Sequence, residues 1–417
     1  MAAGTLIIGA GQGGYQVAAS LREAGYTEPV AIAGDEPAFP YQRPPLSKAY
    51  LLGDTTAERL QLRPPSYYEK HAIAVVTGDK AVAIDRAARR VTFASGKTLS
   101  YNHLVLATGA QNRGLPVPGA EADGVLYLRT LAEADAIKER FHAAQRIVVA
   151  GAGFIGLELA AVASKFGKDV TIVEALPRCM SRAVSPVVSR FFAEAHAAWG
   201  NKLMLDARIA GIDSANGRVT GVATADGRSV PADLVLVGIG IVPKTALAQA
   251  AGLALDNGIA TDAHLLTSDP NISAIGDCAS FPDAATGKRI RLESVQNAVD
   301  HGRCVAARIA GKPRAYDGLP WFWSDQRDLK LQMVGLTAGC ERTVVRGDIA
   351  GRAFSVFCFI GDRLIGIESV NRAADHMFGR RLLGAGQSIL PEEAADPEFD
   401  FKARLATLPR PAPAPAG

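Results

Sequence analysis

The chain has 417 residues, 48% hydrophobic and 21% charged, and its 45 Lys and Arg against 42 Asp and Glu leave a formal charge of +3. This composition supports two or three domains with real cores and excludes wholesale disorder, while the near balance of charge excludes the clustered basic excess of a nucleic-acid binder. Five cysteines, at positions 179, 278, 304, 340 and 358, contain no Cys-x-x-Cys spacing, which argues against a zinc site or a disulfide framework and fits a reducing compartment.

In chain order, the first predicted element is a strand over Thr5–Ile8. It is broken by glycine after four residues and has no charged leader, so it reads neither as a signal peptide nor as a membrane span, and a cytoplasmic protein without membrane association is expected. A helical pattern follows over Gly14–Ala24 and a second apolar strand over Val30–Ala33. Gln111–Gly119, rich in Pro and Gly, is a connector. The same order then recurs: strand Arg146–Ala150, helix Gly156–Phe166, strand Asp169–Val173, with a further strand Ala232–Val237 before Gly238-Ile-Gly-Ile-Val-Pro243. Strand, Gly-rich turn, helix, strand is the unit of a doubly wound parallel sheet, and its recurrence far along the chain predicts two separate nucleotide-binding folds rather than a solenoid. From about residue 320 the pattern changes. Phe354–Ile360 and Arg363–Val370 flank Gly361-Asp362 as an antiparallel hairpin, so a C-terminal α+β domain is expected. The last residues, from Pro409, alternate Pro and Ala and are expected to be a flexible end. The expected division is 1–113 with 246–320, 114–245, 321–405, and a tail over 406–417.

Gly9, Gly11 and Gly14 form a Gly-x-Gly-x-x-Gly motif. Chance supplies roughly 0.4 such matches in a chain of this glycine content, so the weight rests on context. A strand precedes it, a helix follows, and Asp35 closes the next strand, as a dinucleotide fold requires: glycines for the turn and the approach of a pyrophosphate, an acid for a ribose. Gly151, Gly153 and Gly156 repeat the device, with Glu174 closing the following strand. Two such motifs imply two dinucleotides, one held and one exchanged. Glu174 accepts from an adenosine 2′-OH but repels a 2′-phosphate by about 4 kcal/mol per charge pair at about 4 Å and an effective dielectric near 20. NADH is therefore expected over NADPH, although Arg178 lies nearby and is able to bind a phosphate.

Two further segments bear on the held dinucleotide. Tyr101–Ala110 runs from an aromatic residue through an apolar strand to Ala107-Thr108-Gly109, and Asn271–Asp277 is a strand ending in Gly-Asp. Here the sequence resembles the pyridine-nucleotide-disulfide-type flavoproteins. With Tyr41-Gln-Arg-Pro-Pro-Leu-Ser-Lys48, Glu293-Ser-Val-Gln-Asn-Ala298 and Pro320-Trp-Phe-Trp-Ser-Asp-Gln326, the resemblance narrows to the bacterial FAD-dependent ferredoxin reductases, the group of putidaredoxin, palustrisredoxin and rubredoxin reductases, and extends from residue 4 to about 404. It implies a glutathione-reductase-like flavoprotein fold with 1–113 and 246–320 binding FAD and 114–245 binding NADH. It also implies passage of single electrons from FAD to a [2Fe–2S] ferredoxin serving a cytochrome P-450 or a ring-hydroxylating oxygenase. A rubredoxin reductase, or a slow NADH-sensing flavoprotein like the apoptosis-inducing factors, are the alternatives.

By the same resemblance Arg43, Lys48, Ala107, Thr108, Gly109, Asp277, Glu293, Val295, Gln296 and Trp323 join Gly9, Gly11, Gly14 and Asp35 on FAD. Phe154, Ile155, Glu158 and Gly240 join Gly151, Gly153, Gly156 and Glu174 on NADH. Lys48 and Glu158 are the implied catalytic pair, meeting near flavin N5. Phe154 reads equally as a cover for the flavin or as a core residue, and Trp321 equally as core or functional. Disulfide reductases of this class need cysteine beside the flavin; here that stretch carries Ser47 and Lys48, and the first cysteine is Cys179. Cys278 reads as a small buried residue, and the seven scattered histidines as ordinary ones with no metal site. An acidic ferredoxin would dock on a basic patch, for which Arg303, Arg327, Lys330, Arg372, Arg380 and Arg381 are the candidates. A monomer or weak homodimer is expected.

Overall fold

The computed structural model describes residues 4–408 and divides into two units. The first runs to Pro45 and continues through Gly53–Arg113 and Ile241–Gly318; the second comprises Leu46–Leu52, Gly114–Gly240 and the described residues from Leu319 on.

In the first unit Thr5–Ile8 is the middle strand of a five-stranded parallel sheet, ordered Ile272–Ala274, His103–Leu106, Thr5–Ile8, Val30–Ala33, Ile73–Val76. Its continuous apolar run follows from burial on both faces. Ile7 packs with Val17, Leu21, Ile32 and Val105, whereas Leu6 and Ile8 pack with Val91, Phe93, Leu104 and Leu106. Each such side chain contributes about 1.5–3 kcal/mol through burial. The second unit repeats the plan in the order Lys202–Met204, Asp169–Val173, Arg146–Ala150, Leu234–Val237, Val125–Tyr127, again all parallel.

The helices after the two middle strands span Gln12–Glu23 and Phe154–Lys165, each starting two residues before the expected point. Gly14 and Gly156, weak helix formers that read as an outer boundary in sequence terms, lie inside the first turn because nothing larger fits there. A Cβ would stand 2.0 Å from Gly9 O or Gly151 O respectively. The third expected strand is shorter by two residues, since the Ala232 N–H bonds to Thr220 O and the ladder begins at Leu234. The connector opens with a strand, Ala110–Asn112, antiparallel to Ile241–Pro243.

The C-terminal part is a five-stranded antiparallel sheet ordered Trp321–Gln326, Leu329–Gly335, Arg363–Val370, Ala353–Ile360, Arg342–Asp348. The hairpin stands where it was expected, turning at Gly361-Asp362, and helices Ala373–Gly384, Pro391–Ala395 and Phe401–Ala406 follow. The flexible end expected from residue 406 does not begin there: Ala406 closes a helix and Leu408 packs on the core of Val334, Phe357 and Phe378. Residues 409–417, the remainder of that expected tail, lie outside the described residues.

Candidate functional site

Three adjacent parallel strands of the first unit deliver their C-terminal ends together. Thr5–Ile8 leads into Gly9, Gly11 and Gly14, His103–Leu106 into Ala107-Thr108-Gly109, and Ile272–Ala274 into the turn Gly276–Cys278 that carries Asp277. Ligands of doubly wound sheets bind at this edge, where the strand order reverses. Gly9 has φ +120°, and a Cβ on it would lie 2.1 Å from Ala107 O; Gly14 is closed by Gly9 O. Gly11 differs, with no protein atom within 4 Å of where its Cβ would be. The helix behind it has Gly11 as N-cap, no side-chain cap hydrogen bond and no acid in its first turn.

The second unit builds the same cradle. Gly151 has φ +100° and would meet Gly238 O at 2.6 Å, Gly156 is closed by Gly151 O, and Gly153 has its nearest atom at 3.9 Å; its helix also lacks a side-chain cap and a first-turn acid. Each cradle thus combines a positive helix end, uncapped amides and open space over the middle glycine, which fits the pyrophosphate of a dinucleotide. Gly240, φ +107°, stands at the C-terminal end of the neighbouring strand Leu234–Val237, and Ile155 is exposed at the helix start.

The acids that close the second strands are both anchored. Asp35 Oδ2 accepts from Lys244 Nζ at 3.2 Å; burial works against the carboxylate, but the ammonium outweighs it and holds Asp35 below the usual carboxylate range. Beside it Glu36 accepts from Arg43 at 2.5 Å and from Tyr41 Oη at 2.6 Å, so Arg43 is fixed by a neighbouring acid. Glu174 Oε2 accepts from Ala152 N at 2.7 Å and Oε1 from Leu176 N at 2.9 Å, tying the carboxylate to the glycine loop. Arg178, the candidate for a 2′-phosphate, instead donates to Val184 O and Ser181 O. Glu293 accepts from Arg291 at 2.6 Å, which also donates to Asp277 O at 3.1 Å. Val295 and Gln296 open the helix Val295–Ile309, capped by Ser294 Oγ on Asn297 N.

Lys48 and Glu158, far apart in sequence, form an ion pair at 2.7 Å. Glu158 is one turn beyond Phe154 on one helix, so both project from one face and both meet the strand Trp321–Gln326. Phe154 packs on Phe322, ring centroids 4.6 Å apart, and Glu158 Oε1 accepts from Ser324 Oγ at 2.7 Å. Glu158 Oε2 accepts from Lys48 Nζ and from Ser47 Oγ at 2.5 Å. A carboxylate only 2% exposed is costly to desolvate unless its lone pairs are met, and three donors, one of them cationic, meet them here. Strand alternation sends Trp321 and Trp323 to the other face, 5.6 Å apart, with the Arg380 guanidinium 4.5 Å over Trp321.

Sequence reasoning missed Lys244 altogether, met Ser324 only as a member of the motif Pro320–Gln326 with no role, and gave Ser47 none beyond its place where sulfur is lacking. Of the basic candidates, Arg303 belongs to the first unit and pairs with Asp300, while Arg327 lies over Trp199 and Arg372 pairs with Asp375; Lys330 and Arg381 are exposed. All five cysteines are free, and Cys278 is buried, as expected, with burial raising its thiol pKa. Among the described residues no cluster could hold a metal ion and no helix is long and apolar enough to cross a membrane.

Two dinucleotide cradles on two parallel sheets, with a buried ion pair beside one of them, define an oxidoreductase that works with a held and an exchanged dinucleotide. Residues 4–302 match the pyridine nucleotide-disulphide oxidoreductase family and residues 321–405 the reductase C-terminal family; the chain belongs to the former and carries the latter as its C-terminal part. It is an FAD-dependent oxidoreductase using NAD(H). It is 50% identical over 401 residues to rhodocoxin reductase of Rhodococcus erythropolis, covering 96% of this chain and 94% of that one. Among solved structures it resembles the ferredoxin reductase for the CYP199A2 system from Rhodopseudomonas palustris, with TM-score 0.95, 51% identity, and coverage of 96% and 99% of the two chains. The reductase in the covalent putidaredoxin reductase–putidaredoxin complex is also similar, with TM-score 0.94, 39% identity, and coverage of 97% and 99%.

Proposed function

We propose that the chain is an NADH-dependent ferredoxin reductase whose acceptor is a [2Fe–2S] ferredoxin serving a cytochrome P-450 or ring-hydroxylating oxygenase. Bound FAD supplies the means of taking a hydride from NADH and releasing electrons one at a time. The observation that carries this reading is Ser47 and Lys48 donating to buried Glu158, at the place where relatives that pass electrons to sulfur need cysteine. The names of the similar proteins and the captured complex with putidaredoxin support a redoxin as partner.

In this reading residues 1–113 and 246–320 hold FAD, 114–245 hold NADH, and 321–405 form the C-terminal α+β domain. Gly9, Gly11 and Gly14 receive the FAD pyrophosphate, Asp35 a ribose, and Asp277 the ribityl chain; Arg43, Ala107–Gly109, Glu293, Val295, Gln296 and Trp323 line the remainder. Gly151, Gly153, Phe154, Ile155, Gly156 and Gly240 receive NADH, and Glu174 selects against a 2′-phosphate. Lys48 offers positive charge to reduced flavin, and Glu158 pairs with it and orients the nicotinamide carboxamide. Arg327, Lys330, Arg380 and Arg381 are docking candidates for an acidic ferredoxin. The five free thiols support a reducing, cytoplasmic location, and the protein acts as a monomer or weak homodimer.

The test is anaerobic stopped-flow reduction by NADH, followed by mixing with a panel of purified iron–sulfur proteins at several ionic strengths. Rapid bleaching of the flavin and turnover accelerated by a [2Fe–2S] ferredoxin, more so at low salt, is the expected result. Slow bleaching with no acceleration by any iron–sulfur protein overturns it and favours an NADH sensor; acceleration by rubredoxin alone moves the reading to a rubredoxin reductase.

A further inference from the structure

We propose that Ser324, Gln326, His196 and Asn201 are positioning residues for Glu158, forming a one-way chain of hydrogen bonds whose direction is set by the charge on Glu158 and whose far end is read in the tautomer of His196. The argument runs on donors and acceptors. An ionised carboxylate only accepts, so Ser324 gives its proton to Oε1. The serine oxygen is then open to a donor, and Gln326 Nε2 donates to it at 3.3 Å. The Gln326 Oε1 atom therefore faces His196 Nε2, at 2.9 Å, which requires a proton on Nε2. His196 Nδ1 is left as an acceptor and takes the Asn201 amide N–H at 2.8 Å.

Every member is buried, His196 and Gln326 fully, with Trp199 edge-on to the imidazole at 4.9 Å. Burial holds the His196 pKa down to about 4, the Gln326 hydrogen bond opposing and Arg327 adding to the effect, so the ring is neutral and has a single N–H proton to place. The chain ends on an unsatisfied atom, since Asn201 Oδ1 is buried without a hydrogen-bond partner. Running the chain the other way would give that oxygen the Nδ1–H of His196. The observed direction leaves the orphan because the carboxylate at the other end admits no alternative. A donor in place of Oε1, such as a side-chain amide would present, makes Ser324 accept there and turns its O–H back toward Gln326; the chain thus holds Glu158 in place. That Glu158 serves the reactive end of the cofactors rests on the function proposed above, whereas the chain itself does not.

The test is the imidazole nitrogen shifts of the holoprotein labelled with [15N]histidine. His196 is assigned by the signal lost in His196→Gln or, should that variant not fold, by its proximity to the Trp199 indole. Wild type is expected to carry its proton on Nε2 from pH 6 to 8. In Glu158→Gln the amide oxygen must face Lys48, which only donates, so the NH2 faces Ser324 and the His196 proton moves to Nδ1. In a Ser324→Ala background Glu158→Gln is expected to leave the His196 shifts where they are. A proton on Nδ1 in wild type, an unmoved tautomer in Glu158→Gln, or an equal response without Ser324 overturns the proposal. No NADH or acceptor is needed for this readout, so failure of ferredoxin reduction would overturn the proposed function and leave the chain standing.

Discussion

Gly11 and Gly14 share one loop, yet the side chains they lack have opposite surroundings. A Cβ on Gly14 would lie 2.0 Å from Gly9 O and 3.2 Å from Ile7 Cγ2, whereas on Gly11 it would meet nothing within 4 Å. Gly14→Ala therefore overpacks a helix–strand contact, which costs about 1–3 kcal/mol, with the upper end expected because the clashing atom is a backbone carbonyl. At about 2–4 °C per kcal/mol, unfolding of the apoprotein moves down by roughly 6–12 °C. Gly11 has φ −93° and ψ −166°, which alanine adopts, so Gly11→Ala costs only the difference between two N-cap residues, about 1 kcal/mol or less. Its effect falls on the ligand, since a methyl group stands where a pyrophosphate must approach the amides. A loss of about 1.4 kcal/mol or more, a tenfold weaker FAD affinity, is expected with near-native apoprotein stability. Thermal unfolding by circular dichroism and titration of the apoprotein with FAD measure the two effects separately. Wild-type FAD affinity in Gly11→Ala would refute the assignment of that open space to the cofactor. The same contrast holds for NADH at Gly153, nearest atom 3.9 Å, and Gly156, 2.0 Å.

Glu174 is fastened by two backbone N–H groups and cannot swing away from a 2′-phosphate, so Glu174→Gln should narrow the NADH-over-NADPH ratio of kcat/KM by roughly 5- to 1000-fold, the range set by about 1 to 4 kcal/mol of repulsion. An unchanged ratio in steady-state assays removes the ribose role. Lys48→Ala should slow flavin reduction by NADH about 100-fold in stopped-flow traces with FAD content retained; loss of FAD at an unaltered rate makes Lys48 structural. Burial holds His103 and His301 to about 3 and His196 and His376 to about 4, so each stays neutral when folded but takes a proton near pH 6.5 when unfolded; the stability they contribute is present above pH 6.5 and lost as the pH falls from there toward 4. At pH 5.5 the loss is about 1.4 kcal/mol per histidine, or about 3 for each unit, and denaturant midpoints that do not fall between pH 7.5 and 5.5 would refute it.

How much of this is legible in the sequence depends on whether the cause is local. The strand Thr5–Ile8 can be read because burial on both faces demands an unbroken apolar run, and the hairpin at Gly361-Asp362 because the turn carries its own chemistry. Asp35 and Glu174 stand out because each closes the apolar strand that follows a glycine motif, 21 residues after Gly14 and 18 after Gly156. The helix starts were misplaced because a glycine was read as a boundary, when its reason is a carbonyl 2.0 Å away that only the packed turn supplies. Polar partnerships fare worse. Ser324 lies 166 residues from Glu158, Lys244 lies 209 from Asp35, and Gln326 lies 130 from His196. A serine or glutamine on a strand carries no mark of the donor or acceptor it will meet, and a lone histidine is compatible with any environment. Apolar residues announce themselves by periodicity because every neighbour of the right face will do, while a hydrogen bond needs one atom of one sign at one distance. The consequence for this protein is specific. The glycine cradles are written in motifs, but the setting of Glu158 is assembled from three distant segments, so substitutions at Ser47, Ser324 or Gln326 should alter the carboxylate while leaving both glycine motifs intact.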